Sequence, residues 1–509
     1  MPSLPTETEL KLQLDPAFVD RLRASPLLAG VTCSQARVDN VYFDTADRLL
    51  QRHRIALRVR EIDGRWLQTL KSGRDGAING GALSMRGEWE TPARVVGGRG
   101  RIDLARLFES PLLKLLARQK SKPLLRPLFH TRFNRTRWLI KRADAVIEIA
   151  LDIGEIAANG RTPREPICEV ELELKQGDPA ALLAVAIELL GAGSKDPLPL
   201  IPVARSKAER GYQLLTQEVP AVIKASAKGF VAHLTRKTTE SQALRAVVAH
   251  GLVVLTANAE LLLRYDEPEY VHQARVALRR VRSVVRLLDR EQRDVPHTLA
   301  DELRWLARAL GEARDWDVIT DQTLPWLAEG VGADTTSALI AKAEQRRRRA
   351  REKIRNSVRS ARYAALVLNG ERWCMTSPSG AKPLEALAAS RLDSTAKKLF
   401  KTARFFSALS AERRHQVRIL AKRLRYDLDL FGVALPKQTT ARYIDALSEL
   451  QDALGQMNDA SVAVAVSPEL SPSRAIKKSM QKWLLSIEPE RVRDAETKLL
   501  ALSKLDAPW

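Results

Sequence analysis

The chain has 509 residues and a formal charge of +22, from 83 Lys and Arg against 61 Asp and Glu. That length suffices for two or three domains with cores of their own. Three scattered cysteines (Cys33, Cys168, Cys374) exclude a disulfide framework or a zinc site, and no uncharged apolar run reaches the roughly 18 residues of a membrane span. Residues 1–14 carry acids and no apolar segment, unlike a signal peptide, so a cytoplasmic protein with an anionic partner is expected.

Glu7, Glu9 and Lys11 stand at i, i+2 and i+4, with Leu10, Leu12 and Leu14 between and beyond them. Residues two apart in a strand share a side, so a charged row backs an apolar one. Arg54, Arg58 and Arg60 repeat the arrangement against Ile55, Leu57 and Val59, and a further strand-like run ends at Lys71 before the Gly-rich 72–81. Arg86, Glu88 and Glu90 alternate with Gly87 and Trp89. Arg135 and Arg137 share a parity, as do Glu148 and Asp152; Glu169, Glu171 and Glu173 alternate with Val170, Leu172 and Leu174. A solvated strand face explains any one row. Acidic and basic rows of one period, separated by turn residues, predict an antiparallel meander around a charged interior, and closure would remove its exposed edges. Carboxylates hold hard divalent ions while Lys and Arg neutralise phosphate oxygens, so such an interior suits a metal-bound polyphosphate. Neither a GxxxxGK[ST] loop nor a Ser/His/Asp or Cys/His triad is apparent, which points to direct hydrolysis.

Glu7-Thr8-Glu9-Leu10-Lys11 has the form ExExK. It is followed by Tyr42-Phe43-Asp44-Thr45, Leu57-Arg58-Val59-Arg60, Thr69-Leu70-Lys71, Arg86-x-Glu88-x-Glu90, 147–154 with Asp152, 167–174, and Ser206-Lys207-Ala208-Glu209-Arg210-Gly211-Tyr212. This ordered set resembles the CYTH, or triphosphate tunnel metalloenzyme, superfamily. The resemblance implies an eight-stranded antiparallel β-barrel tunnel with accessory helices over 1–216. Glu7, Glu9, Asp152, Glu169 and Glu171 would surround one or two ions of Mg²⁺ or Mn²⁺, with Glu173 as a ligand or supporting partner. Lys11, Arg58, Arg60, Lys71, Arg135 and Lys207 would hold triphosphate; Arg86, Arg132 and Arg137 follow from a looser alignment. Glu88 or Glu90 would orient the attacking water. The implied reaction is hydrolysis of inorganic triphosphate to diphosphate and phosphate. Other members hydrolyse nucleoside or thiamine triphosphates or cyclise ATP, and a non-catalytic polyphosphate-binding protein is the alternative from another class.

Beyond a boundary at 217–225 the period becomes helical, and about +15 of the charge lies past residue 220. An internal repeat runs through 226–509, in copies of about 226–370 and 380–509. His272-x-x-Arg275-x-x-x-Arg279-Arg280-x-Arg282 recurs as His415-x-x-Arg418-x-x-x-Lys422-Arg423-x-Arg425, and Leu310-Gly311-x-x-Arg314-Asp315 as Leu454-Gly455-x-x-Asn458-Asp459. The steps of 3 and 4 lay His272, Arg275, Arg279 and Arg282 along one helix face, and His415, Arg418, Lys422 and Arg425 along another. No acid interrupts the stripes until Asp429. Like charges on successive turns destabilise a helix, so the pattern suggests a bound polyanion. This half resembles the CHAD domain, which implies two pseudo-symmetric four-helix bundles binding inorganic polyphosphate through His272, Arg275, Arg279, Arg280, Arg282, His415, Arg418, Lys422, Arg423 and Arg425. The expected architecture is a β-barrel plus an all-α half. The expected partners are inorganic triphosphate and polyphosphate, with localisation to polyphosphate granules; neither a membrane nor nucleic acid is expected, aromatics being only 5%.

Overall fold

The computed structural model describes the chain except residues 1–5, 74–80, 108–109, 120–123, 143, 159–163, 227–233, 235–237, 291–295, 332, 377–382, 433–434 and 471–473. The amino-terminal half is built from β1 (Thr6–Gln13), β2 (Cys33–Asp44), β3 (Ile55–Ile62), β4 (Arg65–Gly73) and β5 (Leu83–Pro92). A small hairpin follows, β6 (Arg94–Val96) and β7 (Arg99–Arg101), then β8 (Arg126–Arg142), β9 (Ala145–Ala158), β10 (Glu165–Gln176) and the two-residue β11 (Ile201–Pro202). The sheet order is β10-β9-β8-β2-β3-β4-β5-β1-β11, and β10 pairs back onto β1. Eight antiparallel strands therefore close into a barrel, as the alternating rows predicted.

Alternation explains why both faces of these strands are covered. In β1, Leu10 and Leu12 are fully buried in an outer apolar layer, while Glu9 and Lys11 are buried on the opposite, lumenal side. Helix α1 (Pro179–Leu190) supplies that outer layer with Leu182, Leu183, Leu189 and Leu190. Asp178 caps its start by accepting the Ala180 N–H at 2.7 Å, and Gly191 ends it in the left-handed conformation. Helix α2 (Lys207–Thr216) is fixed by a reciprocal cap, in which the Ser206 N–H donates to Glu209 Oε2 at 2.8 Å while Ser206 Oγ accepts the Glu209 N–H. Gly211 lets α2 sit hard on the barrel, since a Cβ there would meet Phe129 at 2.1 Å.

The carboxy-terminal half is helical: α3 (Glu240–Leu262), α4 (Pro268–Arg290), α5 (His297–Val318), α6 (Ala333–Val358), α7 (Ala361–Met375), α8 (Leu384–Thr402), α9 (Ala411–Phe431), α10 (Lys437–Leu470) and α11 (Arg474–Ser503). Helices α4 and α9 carry the two basic stripes, each as the second helix of a run, α3–α6 and α8–α11. Neighbours in sequence pack against each other in both sets, and one continuous apolar core runs through them. Helix α3 is long and apolar enough to cross a membrane, but 78% of its apolar window is buried inside the bundle.

The halves are joined by more than a tether. Ala364 and Leu368 of α7 share a core with α1 and the strands behind it. Segment 220–225 is bonded to the helices: Tyr270 Oη donates to Pro220 O, Asn258 Nδ2 to Ile223 O, and the Ala225 N–H to Gln273 Oε1.

Candidate active site and polyanion groove

The barrel encloses a tunnel of about 230 Å³ lined by seven carboxylates and nine basic side chains. Register accounts for the gathering, because directly opposed residues share a face. Lys11 faces Glu171 and Glu9 faces Glu173 across β1 and β10; Glu7 faces Arg86 across β1 and β5; Arg135 faces Asp152 across β8 and β9.

Two charged clusters result. In the first, Lys207 Nζ lies 2.7 Å from Asp152 Oδ2 and 2.9 Å from Glu171 Oε1, and also pairs with Glu169. Arg135 donates through Nε and Nη2 to Asp152 at 2.7 and 2.6 Å, and Nη2 reaches Glu171 at 2.6 Å. Burial acts against the charge of Lys207 and Arg135, yet the carboxylates around them hold both pKa values above the ordinary ones. Burial raises Glu171 in the same way, and Lys207 and Arg135 more than offset it, holding it well below the usual carboxylate range. A lysine at the first residue of α2 opposes the helix dipole, an arrangement that the three carboxylates around it, two of them buried, make favourable.

In the second cluster Lys71 pairs with Glu7 and lies 3.6 Å from Glu9 and 3.7 Å from Glu88. Lys11 pairs with Glu9. Burial pushes Glu7 up to about 7 against the pull of Lys71, with Glu9 and Glu88 adding to the rise. Burial also raises Glu9, but Lys11 and Lys71 outweigh it and hold that carboxyl far down. Burial and the neighbouring Arg58 and Arg135 lower Arg60 to about 10.

Asp152, Glu169 and Glu171 present carboxylate oxygens within 4.8 Å of one another. The Lys207 ammonium contacts all three, Arg135 reaches Asp152 and Glu171, and Arg210 reaches Glu169; the all-oxygen donor set suits a hard divalent cation in competition with these bases. Glu7 and Glu9 belong to the other cluster, and Glu173 pairs with Lys175 at 2.6 Å. Arg58, Arg60, Arg86 and Arg137 all line the tunnel. Glu88 and Glu90 line it too, Glu88 beside Lys71, and Glu90 accepting from Thr69 Oγ1 at 2.9 Å. Arg132 is absent from the lining and forks onto Asp39 at 3.0 Å, half exposed. Glu148, which shares a parity with Asp152, lines the tunnel; sequence reasoning missed Lys175, which shares the lumenal parity of β10, and gave no role to Arg210, which donates to Glu169 and Glu165 at 2.7 Å.

The helical half holds a groove of about 1100 Å³. His272, Arg275 and Arg279 of α4 face His415, Arg418 and Lys422 of α9 across it, so the structure joins the two stripes into one surface. Arg308 and Arg314 of α5, and Arg346, Arg349 and Lys353 of α6, complete the wall. Arg280, Arg282, Arg423 and Arg425 are not among the described lining. Arg280 Nη2 reaches Asp429 at 3.1 Å, Arg425 pairs with the same carboxylate, Arg423 lies near Asp427, and Arg282 lies beside Arg286, Arg304 and Arg308. Burial, then Arg314, lowers the pKa of His272.

Residues 5–198 match the family described as the CYTH domain and 246–466 match the CHAD domain. The chain is thus a CYTH tunnel domain joined to a CHAD helical domain. The inorganic triphosphatase of Haemophilus influenzae is 30% identical over 218 residues, 41% of this chain and 54% of that protein, so the chain spans about half the length of this curated relative. The CHAD domain from the plant Ricinus communis is 28% identical with a TM-score of 0.51, covering 57% of this chain and 99% of that one. PptA from Streptomyces chartreusis, 18% identical with a TM-score of 0.39, covers 52% of this chain and 98% of its own and is too distant to carry an argument.

Proposed function

We propose that the tunnel hydrolyses inorganic triphosphate to diphosphate and phosphate in a metal-dependent reaction, and that the helical groove binds inorganic polyphosphate. The observation that carries the first part is the lining itself, seven carboxylates and nine bases in one enclosed lumen. Anion binding alone would be weakened by those acids.

In this reading Asp152, Glu169 and Glu171 hold one divalent ion, Mg²⁺ or Mn²⁺. Glu7 and Glu9 contribute to a second, with Glu173 in support. A bound ion supplies counter-charge to phosphate oxygens and lowers the pKa of a bound water. Lys11, Arg58, Arg60, Lys71, Arg86, Arg135, Arg137 and Lys207 neutralise the triphosphate oxygens, which is the main requirement of phosphoryl transfer. Glu88, the deeper of the two β5 carboxylates at 23% side-chain exposure against 38% for Glu90, orients the water. The lining aromatics are already engaged: Tyr42 stacks on Phe129, and Phe133 lies beneath Arg135 and Lys207. That favours a substrate without a base over a nucleotide.

The proposal divides the chain into a tunnel domain (1–216), a connection (217–225) and a helical domain (226–509) that keeps the enzyme on polyphosphate in the cytoplasm. Phosphate release from inorganic triphosphate, ATP and long polyphosphate, each with Mg²⁺, Mn²⁺ or chelator, tests it. Release from triphosphate that disappears with chelator is expected; a cyclic nucleotide product from ATP would replace hydrolysis with cyclisation.

A further inference from the structure

Helix α3 ends against the barrel, and its last turn grips the tunnel's supports rather than its lining. Glu260 accepts from Arg205 Nε at 2.7 Å, and Tyr265 Oη accepts from Gln213 Nε2 of α2. Between them Arg264, whose N–H bonds to Leu261 O at 3.0 Å, pairs with Glu165 at the start of β10. Arg264 belongs to the helical half and stands outside the tunnel lining.

Glu165 is shared. Its Oε1 also accepts from Arg210 Nε at 2.7 Å. Arg210 directs its remaining nitrogens to Pro166 O through Nη2 and to Glu169 Oε2 through Nη1, each at 2.7 Å. The other Glu169 oxygen, Oε1, faces Lys207. One buried guanidinium therefore serves two carboxylates, and a carboxylate left without other counter-charge would draw it to itself. Arg264 supplies that counter-charge at Glu165: burial raises the Glu165 pKa, and Arg210 and Arg264 together hold it below the ordinary value. If Glu169 Oε1 exchanges Lys207 for an ion, the Arg210 bond to Oε2 is what keeps the carboxylate in place among the described residues.

We propose that Arg264 is a positioning residue for the divalent ion of the tunnel: by neutralising Glu165 it keeps Arg210 on Glu169 Oε2, and so holds Oε1 turned toward Asp152 and Glu171. The inference rests on the reading of these three carboxylates as an ion site and adds that the helical half completes it.

Charge alone gives the opposite sign, which makes the test decisive. Removing a cation near three carboxylates should strengthen cation binding; positioning requires it to weaken. Mn²⁺ binding to the full-length chain, without substrate, is read from the free-Mn²⁺ signal in electron paramagnetic resonance. Arg264→Ala is expected to weaken it about fivefold, short of the roughly 10–100-fold typical of a group bonded directly to a metal ligand. Arg264→Lys, which keeps the ion pair, is expected to stay close to wild type. The same Arg264→Ala change in a Glu165→Gln background is expected to have no effect, because no charged competitor for Arg210 remains there. Unchanged or tighter Mn²⁺ binding in Arg264→Ala overturns the proposal even if Tm falls, since a purely structural or purely electrostatic arginine would behave so. An equal loss in the Glu165→Gln background also overturns it, by showing that the effect does not pass through Glu165. Failure of the wild-type chain to bind Mn²⁺ at all overturns the ion-site reading itself, a distinct result.

Discussion

Lys207 concentrates the electrostatics of the tunnel in one side chain. It is 5% exposed, yet three carboxylates converge on it. Removing one partner of a buried ion cluster costs about 3–5 kcal/mol because the remaining charge stays buried. Lys207→Met should therefore lower Tm without divalent ions, and Mg²⁺ or Mn²⁺ should raise it by more than in wild type, since binding to the folded state alone stabilises it. Differential scanning fluorimetry with and without the ions checks this; equal shifts in both proteins would show that these carboxylates do not hold the ion. Glu7 makes a prediction of opposite sign. Its folded pKa of about 7 lies above the ordinary 4.5, so its contribution to stability is complete below pH 4.5 and is lost as pH rises through 7. A divalent ion needs the ionised form, so ion affinity should instead rise with pH. Calorimetric Mg²⁺ titration in buffers of different ionisation enthalpy should detect proton release at pH 6.5 that is absent at pH 8.5 and absent in Glu7→Gln.

At the scale of elements, the strands were legible because period-2 alternation holds wherever one side faces apolar packing and the other a charged lumen. Glu9 and Lys11 were readable for that reason, and their burial at 5% and 3% follows from closure. Arg210 was not, since it reaches Glu169 from a helix about 40 positions away, and nothing local distinguishes it from a solvated arginine. The basic stripes were legible as faces but not in extent. Arg280 stands next to Arg279, about 100° further round α4, and is turned to Asp429. That acid, where the second stripe's uninterrupted positive charge ends, was the available signal. If the groove binds polyphosphate as proposed, affinity should fall linearly with salt on logarithmic axes. Arg275→Ala or Arg418→Ala should each reduce that slope by about one. His272, whose pKa is lowered in the free groove, should take up a proton on binding, so affinity should increase as pH falls through the ordinary histidine range, and His272→Gln should flatten that dependence. Salt-independent binding would remove the electrostatic account.

The whole molecule is organised around the contact between its halves. Glu260 of α3 is buried and accepts from the Ala204 N–H at 2.8 Å, the Arg205 N–H at 3.1 Å and Arg205 Nε at 2.7 Å. It thereby fixes the turn that delivers Lys207 to the tunnel. Arg264, just past α3, pairs with Glu165, which also holds Arg210 behind Glu169. Glu260→Ala leaves Arg205 without its buried counter-charge and should cost about 3–5 kcal/mol. It should also split thermal unfolding, from one coincident transition by two probes into separate transitions of barrel and bundle; two transitions already present in wild type would argue that the halves are energetically independent.

The central claim is that acids and bases enclosed in one tunnel bind a cation together with the phosphates it accompanies. Phosphate release from inorganic triphosphate with Mg²⁺, compared between wild type and Glu9→Gln, tests it most directly. The account predicts release by wild type and a loss of at least a hundredfold in the variant, with polyphosphate binding by the helical half intact. Undiminished release from Glu9→Gln, or none from wild type with either Mg²⁺ or Mn²⁺, would contradict it.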